Sequence, residues 1–132
     1  MKARIGIMPE KLIRMRVLAI AQGKYKPAKD EPKVWYTSFN AISQVLNPEN
    51  VALLRLIDDE RPQSVTELAE ISGRKKSNLS NTLKALSEKG FVRMEQGEGR
   101  SLKPVALYTD FEITTMKELE DFLLELEHGK AA

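Results

Sequence analysis

Apolar residues recur along this chain with two periods, and the periods divide it into elements. From Lys11 onward Leu12, Met15, Leu18 and Ala19 keep helical spacing, with Pro9 suited to the first helical position and Gly23 closing the run. Lys11, Arg14 and Arg16 fall off that stripe. The preceding KARIGI, residues 2–7, fits a short strand or a loose arm. The polar, proline-bearing KYKPAKDEPK that follows the helix reads as a linker. VWYT at 34–37 is rich in β-formers and predicts an extended piece. Ser38 can then cap a short helix carrying Phe39, Ile42, Val45 and Leu46.

The middle of the chain is more legible. Asn47 and Pro48 form a cap and first-turn proline, and Val51, Leu53, Leu54, Leu56 and Ile57 make a helix apolar on more than one side, which implies central burial. Ser64 and Glu67 have capping-box spacing, with Thr66 as a rival cap, ahead of a short helix with Leu68, Ala69 and Ile71. Ser72–Gly73 is a tight turn. In GRKKSNLSNTLKAL, residues 73–86, Leu79, Leu83 and Leu86 recur at i, i+4, i+7, so a longer helix follows and ends near Gly90. FVRME at 91–95 alternates as a strand does, QGEG at 96–99 is turn chemistry, and 102–108 returns as a second strand that Pro104 confines to an edge or a bulge. Last, Thr115 and Glu118 have capping-box spacing before a stripe of Met116, Leu119, Phe122, Leu123 and Leu126 on an acidic helix.

Composition limits the function classes. With 42% apolar and 30% charged residues the chain is not disordered throughout. No window approaches 18 consecutive apolar residues, the N-terminus lacks a secretory h-region, and there is no cysteine. A cytoplasmic protein with no membrane partner is expected. The net charge of +2 is unevenly spread: residues 1–38 carry +6, residues 39–63 carry −2, residues 64–103 carry +3 and residues 104–132 carry −5. Basic surfaces for a polyanion and an acidic tail with another task follow from that asymmetry.

The cations Arg74, Lys75 and Lys76 stand where a helix should begin, although helix N-termini favour acidic neighbours and each misplaced cation costs roughly 0.3–1 kcal/mol. A solvated helix start is the plain explanation. The order helix, short helix, tight turn, longer helix and glycine-tipped hairpin offers another: it is that of a winged helix-turn-helix, whose second helix enters the major groove of DNA. With the leucines turned inward, that helix exposes Lys76, Ser77, Ser80, Asn81 and Lys84, with Asn78 near its start. Asn suits adenine, Lys and Arg suit guanine or phosphate, and Ser suits either. For Asn78 and Asn81 the residue types leave base contact and plain polar surface both open. Arg100 and Lys103 in the hairpin are candidates for phosphate contacts, with Glu98 at the tip acting against them.

SVTELAEISGRKKSNLSNTLKALSEKGFVRME, residues 64–95, resembles the core of winged-helix regulators related to the MarR and ArsR groups. With EPKVWYTSFNAISQVLNPENVALLRLI, residues 31–57, the resemblance extends over about residues 8–108 to small archaeal and bacterial DNA-binding regulators, some encoded beside small toxins as antitoxins. It implies a mainly α protein with a small β-hairpin: a basic N-terminal extension at 1–46, a winged helix-turn-helix at 47–109 and an acidic C-terminal helix at 110–132. The expected function is a sequence-specific, DNA-binding transcriptional repressor, with the wing and the basic N-terminal part holding phosphates. A toxin-neutralising interaction module, with DNA binding secondary or absent, is the rival, and a winged helix used only for protein contacts is a third possibility. The expected partners are double-stranded DNA, a second copy of the chain and a cognate toxin. The C-terminal stripe packs either back on the winged helix or against its copy in a dimer.

Enzymatic chemistry, cofactors and metals are not expected. His128 is the only histidine, and without cysteine it cannot build a usual zinc site. Asp58, Asp59 and Glu60 crowd a helix end and read as a solvated terminus, while QGEG lacks the Lys-Ser/Thr of a phosphate loop. Trp35 is expected to anchor a core.

Overall fold

The computed structural model describes residues 1–129, so the last three residues of the expected C-terminal segment lie outside the described residues. It contains six helices and two small sheets, which makes the fold mixed α/β rather than mainly α. The elements are β1 (Lys2–Ile7), α1 (Glu10–Ala21), β2 (Val34–Tyr36), α2 (Phe39–Ser43), α3 (Pro48–Glu60), α4 (Val65–Ser72), α5 (Lys76–Glu88), β3 (Val92–Gln96), β4 (Leu102–Ala106), β5 (Asp110–Thr114) and α6 (Lys117–Glu127). The chain divides into two compact units. One comprises Met1–Lys2 and Ser43–Asp110; the other comprises Ala3–Ile42 and the segment from Phe111 onward.

The first unit is built on α3, α4, α5 and the β3–β4 hairpin. Asn47 caps α3 by accepting the Asn50 N–H at 2.8 Å, and Pro48 occupies the first helical position, where no N–H is needed. Ser64, not Thr66, caps α4 by accepting the Glu67 N–H at 3.0 Å. The Glu67 carboxylate reaches back one residue further than a standard box, to the Gln63 N–H at 3.0 Å. Gly73 takes φ +73° to end α4, a left-handed conformation that other residues adopt at a cost, and so permits the short turn into α5. Leu53, Leu54, Ile57, Leu68, Leu79, Leu83, Leu86, Phe91 and Val92 are all buried. At roughly 1.5–3 kcal/mol for each fully buried large apolar side chain, this cluster is the main stabilising term of the unit. The hairpin is antiparallel, with Met94 opposite Pro104 and Glu95 opposite Lys103; β4 has β3 as its one partner, which is the edge setting a proline requires.

The second unit holds a three-stranded sheet in the order β2-β1-β5, with β1 and β2 parallel across the α1 crossover. KARIGI is therefore the central strand. β5 is absent from the sequence expectation, which placed a helical segment from residue 110. Its sequence, DFEIT, is half-polar and five residues long, and it becomes a strand by pairing with β1. Pro9 lies at the N-cap of α1 rather than inside it. Leu18 is 57% exposed while Arg16 is buried, so the stripe on α1 is Leu12, Arg16 and Ala19. That face packs against Leu119 and Leu123 of α6 together with Met8, with Trp35, Tyr25 and Phe122 beside them. The α6 stripe is thus buried against α1, a partner that neither sequence alternative named. Thr115 does not cap α6, whose N-cap is Met116 without a side-chain bond.

Arg16 is buried because it is partnered. Its Nε and Nη2 donate to Oε2 of Glu31 at 2.9 and 2.8 Å, its guanidinium lies 5.4 Å from the Trp35 ring centre, and the Tyr25 hydroxyl donates to Oε1 of Glu31. The Glu31 side chain is 1% exposed. Burial first, and then the hydrogen bond to the Glu31 carboxylate and its charge, push the Tyr25 phenol up to about 12. Trp35 crosses Gly6, its neighbour in the β1–β2 register, so closely that a Cβ at Gly6 would lie 2.2 Å from the ring.

Candidate nucleic-acid interface

The candidate surface is the outer face of α5. Helical spacing of Leu79, Leu83 and Leu86 turns these three into the core at 2% exposure or less. The same geometry leaves Lys75, Lys76, Ser77, Asn78, Ser80, Asn81 and Lys84 exposed. The helix begins at Lys76, with Lys75 as an N-cap that makes no side-chain cap bond and with no acidic residue in the first turn. Its first-turn N–H groups therefore lack the usual side-chain acceptor, beside two cations.

Two of the sequence candidates have bonds inside the protein. Arg74 precedes the helix, and its guanidinium donates to the Glu49 carbonyl at 2.8 Å and to Asn50 Oδ1 at 3.4 Å. It bridges the turn before α5 to the first turn of α3. Ser80 Oγ donates to the Lys76 carbonyl one turn back at 3.0 Å. Lys75, Lys76, Ser77, Asn78, Asn81 and Lys84 are thus exposed at and beyond the start of α5, while Arg74 is held partly apart from them by its bonds to α3.

The hairpin candidates separate. Arg100 is exposed in the turn, which is closed by Gly97 N–H to the Ser101 carbonyl at 2.9 Å and by Ser101 Oγ to the Glu98 carbonyl at 2.6 Å. Lys103 shares a strand face with Arg93 and Glu95, because directly paired residues point the same way. The other face carries Met94 and Leu102. With Val65, Leu83, Ser80 and Lys84 these line a largely apolar cleft of about 350 Å³ between α5 and the hairpin. That apolar cleft has no counterpart in the sequence expectation; Leu102 contributes to it a side chain that is 49% exposed. On its own face Lys103 lines a second cleft, with Asp58, Arg61, Arg93 and Glu95.

This unit coincides with a family signature: the HVO_A0114 family model matches residues 45–113, more than half of the chain. The chain belongs to the HVO_A0114 family. As a member of that family it also resembles a crystal structure described as the predicted DNA-binding transcriptional regulator from E. coli. The two share 13% identity over 86% of this chain and 96% of that one, with a TM-score of 0.44. No curated protein matches this HVO_A0114 chain. Among its described residues no helix is long and apolar enough to cross a membrane, and no group of three or more His, Asp or Glu side chains could hold a metal ion.

Proposed function

We propose that this HVO_A0114 chain is a sequence-specific DNA-binding transcriptional regulator, acting as a repressor through a winged helix-turn-helix made of α3, α4, α5 and the β3–β4 hairpin. The observation that carries the reading is the α5 face: two cations at an uncapped helix start, two asparagines and Lys84, all exposed above a leucine stripe that packs away from them. Phosphate favours both the N–H groups at a helix start and cationic side chains, and asparagine pairs bidentately with adenine in the major groove. In this reading α5 enters the groove, Asn78 and Asn81 contact bases, Lys75, Lys76 and Lys84 contact phosphates or guanine, and Arg100 touches the backbone from the hairpin turn. Arg74 positions α5 through its bonds to the start of α3. The chemistry is recognition, not catalysis. Two copies on a palindromic operator, with half-sites about one helical turn apart, is the arrangement we favour.

Selection of bound sequences from a random duplex pool tests this. A defined motif should emerge from the wild-type chain and vanish when Lys75, Lys76 and Asn78 are replaced together by Ala. An unenriched pool from the wild type contradicts sequence-specific reading.

A further inference from the structure

The connection between α1 and β2 runs over residues 22–33 without helix or strand. Connections from a helix to the next strand normally take about 2–6 residues, and long ordered ones are usually functional. This one is ordered at a cost. Its Glu31 is held in the core by Arg16 and Tyr25, and Pro32 is buried, accepting from Trp35 Nε1 at 2.9 Å. A buried ion pair adds little net stability over an apolar pair of the same volume. What it does here is draw the loop's one buried carboxylate inward. The other carboxylate, Asp30, remains exposed but faces Arg4 at 3.7 Å, while the Asp30 carbonyl accepts from Arg4 at 2.7 Å. Lys24, Lys26, Lys29 and Lys33 are all exposed, and none has an ion-pair partner among the described residues.

The loop's aromatic side chain also turns in, with Tyr25 against Phe122 at 5.5 Å between ring centres, and Trp35 just beyond the loop lies against Arg16. A set of exposed lysines without aromatic or arginine anchors is unlike a protein-binding core, where lysine is depleted and Tyr, Trp and Arg are enriched. It is equally unlike a single-strand platform, which stacks bases on aromatic rings. It matches what a regular duplex backbone asks for: adaptable point charges with no base reading.

We infer that the loop 22–33 is a second DNA contact, in which Lys24, Lys26, Lys29 and Lys33 grip the phosphates of double-stranded DNA irrespective of sequence. The inference rests on the proposed DNA-binding function but concerns a different surface. In this part of the chain the sequence expectation assigned phosphates to the basic N-terminal extension as a whole and singled out no loop lysine.

The test measures binding of the full chain to a selected duplex and to a random duplex across a salt series. It compares the wild type with Lys24→Gln/Lys26→Gln/Lys29→Gln/Lys33→Gln, with the same four positions changed to Arg, and with Lys76→Ala/Asn78→Ala/Asn81→Ala in α5. The plot of log K against log salt falls in slope by about 0.9 for each phosphate no longer neutralised. The loop Gln variant should flatten it by roughly one to three units on both duplexes alike, while keeping the preference for the selected sequence. The Arg variant should keep the wild-type slope. An unchanged slope in the Gln variant, or the same flattening in the Arg variant, overturns the loop contact and leaves the α5 reading standing. An α5 variant that keeps its sequence preference, beside a loop variant with a flattened slope, overturns the α5 reading and leaves the loop contact standing. Affinity for polyglutamate equal to that for duplex at one ionic strength overturns the assignment to nucleic acid.

Discussion

The Arg74 guanidinium donates to the backbone carbonyl of Glu49, 2.8 Å away, and so ties the turn before α5 to the first turn of α3. The next residue, Asn50, completes the junction: it offers Oδ1 to Arg74, its N–H to Asn47, and its Nδ2 to the Val45 carbonyl at 2.8 Å. A residue whose charge suggests a DNA grip is engaged in orienting the helix that carries the grip.

Replacing Arg74 with Ala should therefore lower stability by about 1 kcal/mol, a charged hydrogen bond discounted for its partial exposure. Arg74→Lys should recover less than half of the loss, since an ammonium cannot span two acceptors as the guanidinium fork does. Urea titration of the three proteins checks this. Unchanged midpoints for Arg74→Ala would remove the junction from the account.

Base reading and backbone gripping separate by specificity. Lys76→Ala and Asn78→Ala should each reduce the preference for a selected operator over random duplex, by about 1–3 kcal/mol for each base no longer read. Arg100→Ala should weaken both duplexes alike. Competition binding at one stated salt concentration reads the difference, and equal weakening on both duplexes for Asn78→Ala would move that residue to the backbone set.

Gly6→Ala should destabilise the second unit by about 1–3 kcal/mol, because its Cβ cannot coexist with the Trp35 ring where the ring now lies. On a Trp35→Leu background the same substitution should cost at least 1 kcal/mol less, a coupling that a double-mutant cycle measures directly. Trp35 is the single tryptophan, so fluorescence reports the site without interference. Additive effects would show that the two residues do not meet.

Glu31→Gln strands Arg16 in the core and should cost about 3–5 kcal/mol. Arg16→Met with Glu31→Leu should cost less than that single change, because no unpaired charge is left behind. The Tyr25 phenol, raised from 10.0 to about 12, adds a pH signature. The folded state holds this proton more tightly than the unfolded state, so the linked stability is fully present below pH 10. It is lost as pH rises from 10 to about 12. Denaturation midpoints through that window should fall more steeply for the wild type than for Tyr25→Phe. Parallel falls would assign the loss to other groups.

What residue order alone determined lies mostly in the first unit, with α1, the extended VWY segment and the Ser38 cap of α2 legible as well. Leu79, Leu83 and Leu86, the Asn47–Pro48 start, the Ser64 cap and the hairpin around QGEG are local signals, each complete within a few residues, and the structure realises each of them. Exposure of the α5 candidates followed from the leucine stripe. The rest of the second unit was decided by partners distant in the chain. Arg16 has the charge of a surface residue, and only Glu31, Tyr25 and Trp35 closing around it make burial tolerable. β5 is a strand because β1 is there to pair with it, and the α6 stripe faces α1 because that is where α1 leaves an apolar face. Hydrogen-bond ladders and charge neutralisation between remote segments leave no periodic trace in the sequence. Tertiary structure also separated Arg74 from its neighbours Lys75 and Lys76: all three are cations in one short run, but one is bonded to α3 while the other two face solvent.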